Sequence, residues 1–115
     1  MSSPTITQYP PHAALEQAMI RTFEAMKKNA LLLNDFHIIK ADDWVTIWIF
    51  FVTDANVPKH SDVGILHELE MDFRERLMAS KEHFSFQELP PINFEYDSKE
   101  NIDKNYQGSY YLRMR

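Results

Sequence analysis

Residues 44–53 read WVTIWIFFVT, a run that is apolar on both faces if the chain is extended. Successive side chains of a strand point to opposite faces of the sheet. One face then carries Trp44, Trp48, Phe50 and Val52, and the other carries Val45, Ile47, Ile49 and Phe51. A strand without a polar face is normally central and covered on both sides. We predict a central strand here, with helices on one face and a loop, another protomer or a partner on the other.

The segments around this run predict the rest of the sheet. Residues 36–40 form a strand that joins the central one through residues 41–43 as a β-hairpin. Residues 92–96 alternate apolar and polar side chains, as a half-buried strand does, and residues 109–115 are predicted as a final strand. We therefore expect an antiparallel sheet of about four strands.

Helical periodicity appears in two further segments. Apolar side chains recur at spacings of three and four from Leu15 to Leu33, after a proline-containing flexible segment over residues 1–12. A second helix follows a possible cap at Ser61 or Asp62. Its core stripe consists of Leu66, Leu69, Phe73 and Leu77. Ser98 is expected to cap a short helix that ends in a left-handed turn at Gly108.

The order α-β-β-α-β-(short α)-β predicts an α+β fold of two layers, a sheet packed against two helices. With 115 residues, of which 44% are hydrophobic and 25% charged, the chain has the size and composition of one globular domain, assigned to residues 13–115.

Composition also restricts the classes of function. The chain has no cysteine, which excludes disulfides and thiolate zinc sites and suits a cytoplasmic protein. Its 17 acidic and 12 basic side chains give a net charge of −5, so we expect no direct nucleic-acid ligand and favour basic partners. The longest apolar run is about nine residues, whereas a membrane helix needs roughly 20, so no membrane association is expected.

Motifs for catalysis are not found in the sequence. The two glycines, Gly64 and Gly108, lie too far apart for a phosphate-binding loop, and neither a G-x-S-x-G elbow nor a thiol nucleophile is present. The histidines have no metal-ligand spacing, and the sequence does not place any two carboxylates across a substrate. We predict no catalytic residue, no metal, no cofactor and no enzymatic activity.

One surface stands out on the second predicted helix. Gly64, His67, Met71 and Met78 lie opposite the core stripe, at about 100° per residue, flanked by acidic side chains. Methionine is adaptable and is common at binding surfaces. The predicted contact residues are Glu68, Met71, Asp72, Glu75 and Met78, with Asp54 on the preceding loop. The alternative is that the methionines pack under a loop or under the N-terminal segment.

Residues 92–113 read INFEYDSKENIDKNYQGSYYLR. This segment, about a fifth of the chain, resembles a pattern at the C-terminus of small bacterial proteins, some encoded beside polymorphic or contact-dependent toxins as their immunity proteins. The resemblance rests on the strand, the Asp-Ser-x-Glu-Asn turn, the Tyr-x-Gly-Ser-Tyr-Tyr start of the last strand and the closing arginines. It implies a non-enzymatic cytoplasmic protein that binds and neutralises a cognate toxin. Many such toxins are basic nucleases, which an acidic domain complements in charge.

Two other functions remain open. The first is a homodimeric structural or adaptor domain that uses the doubly apolar strand over residues 44–52 as its interface. The second is a small enzyme or ligand-binding domain built on carboxylates and histidines near residues 54–72.

Overall fold

In a computed structural model, the chain forms a three-stranded sheet with helices on both faces; residues 8–27, 32–41, 43–57 and 63–114 are described. The elements in chain order are α1 (His12–Lys27), β1 (Leu33–Lys40), β2 (Val45–Phe51), α2 (Val63–Ala79), β3 (Ile92–Ser98), α3 (Lys99–Asn105) and α4 (Tyr110–Met114), with single 3-10 turns at Asp54–Asn56 and Ser80–Glu82. This architecture confirms the α+β class.

The sheet has the order β1-β2-β3, so β2 is central, as predicted. β1 pairs with β2 as an antiparallel hairpin, but β3 runs parallel to β2. The expected antiparallel sheet of about four strands is therefore wrong: the described residues form three strands in a mixed sheet. A parallel neighbour requires a long crossover connection, and the segment that contains α2 provides it.

The C-terminal segment corrects the predicted topology a second time, because Tyr110–Met114 is the helix α4 and not a strand. Gln107 and Gly108 have positive φ angles of 55° and 74°, which turn the chain after α3 as expected for a left-handed helix end. The Ser109 hydroxyl then accepts a hydrogen bond from the Leu112 backbone N–H at 3.2 Å and caps the new helix.

The first helix is also shorter than its apolar periodicity suggested. α1 ends at Lys27, and Leu33 begins β1, so the extension of the helix to Leu33 is wrong. Residues 1–7 of the predicted flexible segment and the two candidate caps of the second helix lie outside the described residues. Gln8 is described, and its carbonyl accepts hydrogen bonds from the backbone N–H groups of Gln87 and Glu88.

The core lies between the inner face of the sheet and the two long helices. β2 contributes Val45, Ile47, Ile49 and Phe51, each at most 1% exposed. α1 contributes Leu15 and Met19, while α2 contributes Leu69, Phe73 and Leu77, all fully buried. Each such side chain stabilises the fold by about 1.5–3 kcal/mol relative to an exposed position. The core stripe predicted for the second helix is thus confirmed, with Leu66 half-buried at its edge.

Tyr96 links β3 to α2. Its hydroxyl donates to Glu70 Oε2 at 2.8 Å. Burial is the main cause that raises the pKa of Tyr96, and the Glu70 carboxylate raises it further, so the phenol remains a donor. Within the described ranges, no helix combines the length and the hydropathy needed to cross a membrane.

Candidate functional site

The side of α2 that faces away from the sheet carries both methionines predicted for partner binding. Met71 is 42% exposed and Met78 is 43% exposed. Glu68 and Glu75 are exposed beside them, as is His67. Neither methionine is buried beneath another part of the described chain. We call the surface formed by His67, Glu68, Met71, Glu75 and Met78 the acidic methionine face.

Helix geometry holds this face together. Because Leu69, Phe73 and Leu77 point into the core, residues about half a turn away around the helix point into solvent. Glu68 and Met78 are ten positions apart, which corresponds to about 15 Å along the axis at 1.5 Å per residue. The face therefore runs along most of α2.

The carboxylates of this face form no ion pair with the part of the chain that the structure describes. Among the described residues, the ion pairs lie elsewhere, and neither Glu68 nor Glu75 belongs to one. The two carboxylates flank apolar methionine side chains that already contact water. Carboxylates in this position offer charge complementarity to a basic surface.

Asp72 does not share this environment, although it was predicted as a contact residue. Its carboxylate accepts a hydrogen bond from Arg76 Nε at 2.7 Å, one helical turn away. The Asp72 side chain is 24% exposed and lies at the margin of the face, where its carboxylate is ion-paired with Arg76.

Asp54 lies at the end of β2 in a hydrogen-bonded turn against α3. Its side chain accepts a hydrogen bond from the Ser98 hydroxyl, and its backbone N–H donates to Glu100 Oε1 at 2.9 Å. That backbone hydrogen bond, followed by the Lys104 ammonium, lowers the pKa of Glu100. In the described part of the chain, no hydrogen bond or ion pair joins Asp54 to α2. The hydrogen bonds of Asp54 go instead to Ser98 and Glu100, at the junction of β3 and α3.

The same turn shows what the nearby carboxylates do. Asp97 accepts hydrogen bonds from Asn101 Nδ2 at 2.9 and 3.0 Å and from Arg113 Nε at 2.5 Å. Ser98 caps α3, as predicted, by accepting from the Asn101 N–H at 3.0 Å. No group of three potential metal ligands occurs among the residues that the structure describes. These polar side chains therefore serve to close the turn between β3 and α3.

The outer face of the sheet is covered at its centre by α4. The Tyr110 ring lies 4.6 Å from Phe50 and 4.7 Å from His37, measured between centroids. The Arg113 guanidinium lies 4.7 Å from the Trp48 ring while its Nε donates to Asp97. Burial raises the pKa of Tyr110. The centre of the second face of β2 is thus covered by the C-terminal segment of the same chain.

The margin of that outer face remains open. Trp44 is 45% exposed, Ile39 is 37% exposed and Val52 is 43% exposed. Phe50, in contrast, is fully buried. The apolar surface available to a second protomer is therefore a border around α4 and not the whole strand.

Comparison with known proteins gives no relative: no family model, no curated protein and no solved structure matches the chain.

Sequence reasoning did not identify Arg113 as a partner of Asp97 or Trp48. The two ion-paired residues are 16 positions apart and belong to different elements. Only the closing arginines of the C-terminal pattern contained a signal, and they were attributed to a strand. The pairing depends on α4 folding back across the sheet.

Proposed function

We propose that this protein is a non-enzymatic binding domain of the immunity type, which captures and neutralises a basic protein toxin inside the cell. The observation that carries the proposal is the acidic methionine face, where Met71 and Met78 are solvent-exposed between carboxylates that form no ion pair with any described residue. The resemblance of residues 92–113 to toxin-associated immunity proteins supports the same function.

The two kinds of side chain on this face have different tasks in the proposal. Glu68 and Glu75 attract a basic surface at long range and raise the rate of association. Met71 and Met78 then lose water against the partner and slow its dissociation, as apolar anchors do. A stable interface needs about 800 Å² on each partner, so the face forms its centre and neighbouring surface completes it.

The test first asks whether a toxin gene lies beside the gene of this protein. Binding to the encoded toxic domain is then measured by surface plasmon resonance, together with rescue of growth on co-expression. Reversing both charges, Glu68→Lys with Glu75→Lys, is expected to weaken binding by at least about tenfold, mainly through a slower association rate. Met71→Ala with Met78→Ala is expected to act mainly on the dissociation rate.

A matched control reverses two exposed charges on α1, Glu16→Lys with Glu24→Lys, which changes the net charge equally. If the two charge-reversed variants lose the same amount of affinity, the effect comes from net charge alone. That result would remove α2 from the interface. Absence of binding and of protection by the wild-type protein would reject the immunity function.

A homodimeric adaptor domain is the second candidate, and the exposure of Trp44 and Ile39 on the outer face favours it. Light scattering at micromolar concentration tests it directly. A dimer that Trp44→Asp converts to a monomer would support this function, and a wild-type monomer would exclude it.

A further inference from the structure

A groove with basic side chains lies between α1 and the C-terminal end of α2. It encloses about 220 Å³. Gln17 and Arg21 of α1 line one side, Arg76 of α2 lines the other, and Ser80, His83 and Phe84 close the end. None of these residues belongs to the acidic methionine face.

Both arginines keep guanidinium donors that no described residue uses. Arg76 is oriented by Asp72, whose carboxylate accepts from Nε at 2.7 Å. That contact uses one of the five guanidinium N–H donors, and the remaining four belong to its two terminal nitrogens. Arg21 is exposed and has no hydrogen-bond or ion-pair partner among the described residues.

A second cavity of about 310 Å³ adjoins the groove and is again lined by Arg21 and Arg76, here with Glu24 and Ala25. Arg21 and Arg76 therefore border the same two spaces. In a chain with a net charge of −5, two arginines from different helices line one groove here. Guanidinium groups bind planar carboxylates and phosphates through pairs of parallel hydrogen bonds.

We propose that this groove binds a small organic oxyanion, a carboxylate or a phosphate monoester attached to an apolar group. Arg21 and Arg76 hold the anionic head, and Gln17 and His83 offer further N–H donors. Phe84 and Ala79 form an apolar wall for the body of the ligand. A pocket with a few polar groups and an apolar wall is the usual form of a small-molecule site.

Glu82 also lines the groove and opposes an anion. Its side chain is exposed, so the carboxylate can be directed toward water. Glu82→Gln should therefore increase the affinity for an anion, because one repulsive charge is removed. A variant that merely destabilises the fold would not bind more tightly.

The experiment is an NMR titration of the full chain at constant ionic strength with three probes: phenyl phosphate, benzoate and inorganic phosphate. Saturable shifts are expected at the backbone amides of residues 17–21, 76 and 79–84, and phenyl phosphate or benzoate should bind more tightly than inorganic phosphate. Which of the two organic probes binds more tightly identifies the head group.

Variants test whether Arg21 and Arg76 bind the anionic probes. Arg21→Gln and Arg76→Gln are each expected to weaken binding about ten- to a hundredfold, the range of a charged hydrogen bond. Arg21→Lys should restore only part of the affinity, because it keeps the charge and loses the paired donors. Lys104→Gln on α3 removes the same charge at a distant exposed position and should leave binding unchanged.

Three results would overturn the proposal. The first is the absence of saturable shifts with all three probes. The second is an equal effect of Lys104→Gln and Arg21→Gln, which reduces the interaction to net charge. The third is equal affinity for inorganic phosphate and phenyl phosphate, which removes the apolar wall from the site. The titration contains no protein partner, so its outcome is independent of the proposed toxin-binding function.

Discussion

Replacing Arg113 with alanine should detach α4 from the outer face of the sheet. The Arg113 side chain donates from Nε to Asp97 at 2.5 Å and lies over the rings of Trp48, at 4.7 Å, and Tyr106, at 5.6 Å. It therefore links α4 to β2, to β3 and to the end of α3. Its removal tests whether the C-terminal segment is a structural part of the domain.

The expected loss of stability can be added up from these contacts. The Arg113 and Asp97 side chains are 31% and 12% exposed, so the pair is partly screened, and we take the lower end of the range for a charged hydrogen bond, about 1.5 kcal/mol. Each cation–π contact adds about 0.5 kcal/mol at such a site. Asp97 keeps Asn101 and the Ser98 N–H as donors, so it is not left without partners. The total is about 2–3 kcal/mol.

Urea denaturation and thermal unfolding measure this value. A loss of about 2–3 kcal/mol lowers Tm by roughly 8–12 °C in a domain of this size. The indole N–H resonance of Trp48 should shift in the folded variant, while that of the exposed Trp44 should not. Lys104→Ala is the control, since it breaks an exposed pair of one-turn spacing with Glu100 that is worth at most about 0.5 kcal/mol.

A loss in Arg113→Ala no larger than that of the control would contradict a role for Arg113 in holding α4 on the sheet. It would mean that α4 does not depend on this side chain for its position. Adding Asp97→Asn provides a second check, because the two substitutions should be clearly non-additive if the residues interact.

Two further predictions concern the turn between β3 and α3. Ser98→Ala removes the N-cap of α3 and should cost about 1–2 kcal/mol in urea denaturation; stability equal to that of wild type would show that the capping bond at Asn101 is not used. Glu100→Gln should reduce stability at neutral pH but have little effect in strong acid. The pKa of Glu100 is lowered in the folded protein, so its contribution is present above the unfolded-state pKa and disappears as the pH falls through the folded value. Thermal unfolding from pH 2 to pH 7 measures this, and a difference from wild type that does not change with pH would contradict it.

The local pattern of apolar and polar side chains was sufficient to predict the elements whose position depends on burial. The run around Ile47 and Ile49 is apolar on both faces and indeed forms the central strand. The spacing of Leu69, Phe73 and Leu77 placed the buried side of α2. Met71 and Met78 were placed opposite that side, but whether a loop covers them stayed open until the structure showed them exposed. These inferences succeed because a side chain's preference for water or core acts at its own position.

The same kind of pattern failed at the C-terminus. Tyr110, Leu112 and Met114 alternate with Tyr111 and Arg113, which suits a strand. Over five residues, however, periodicity does not distinguish a strand from one or two turns of helix. Packing on Phe50 and the ion pair with Asp97 stabilise the helical form, and neither contact is visible in the local sequence.

The class of the fold, the central strand and the two long amphipathic helices follow from short-range periodicity in the sequence. The tertiary structure was needed to establish the parallel direction of β3, the covering of β2 by α4, the exposure of Met71 and Met78, and the groove that Arg21 and Arg76 share. Those features depend on how segments far apart in the chain close around a shared core. The free energy that selects them comes from contacts that do not exist until the chain has folded.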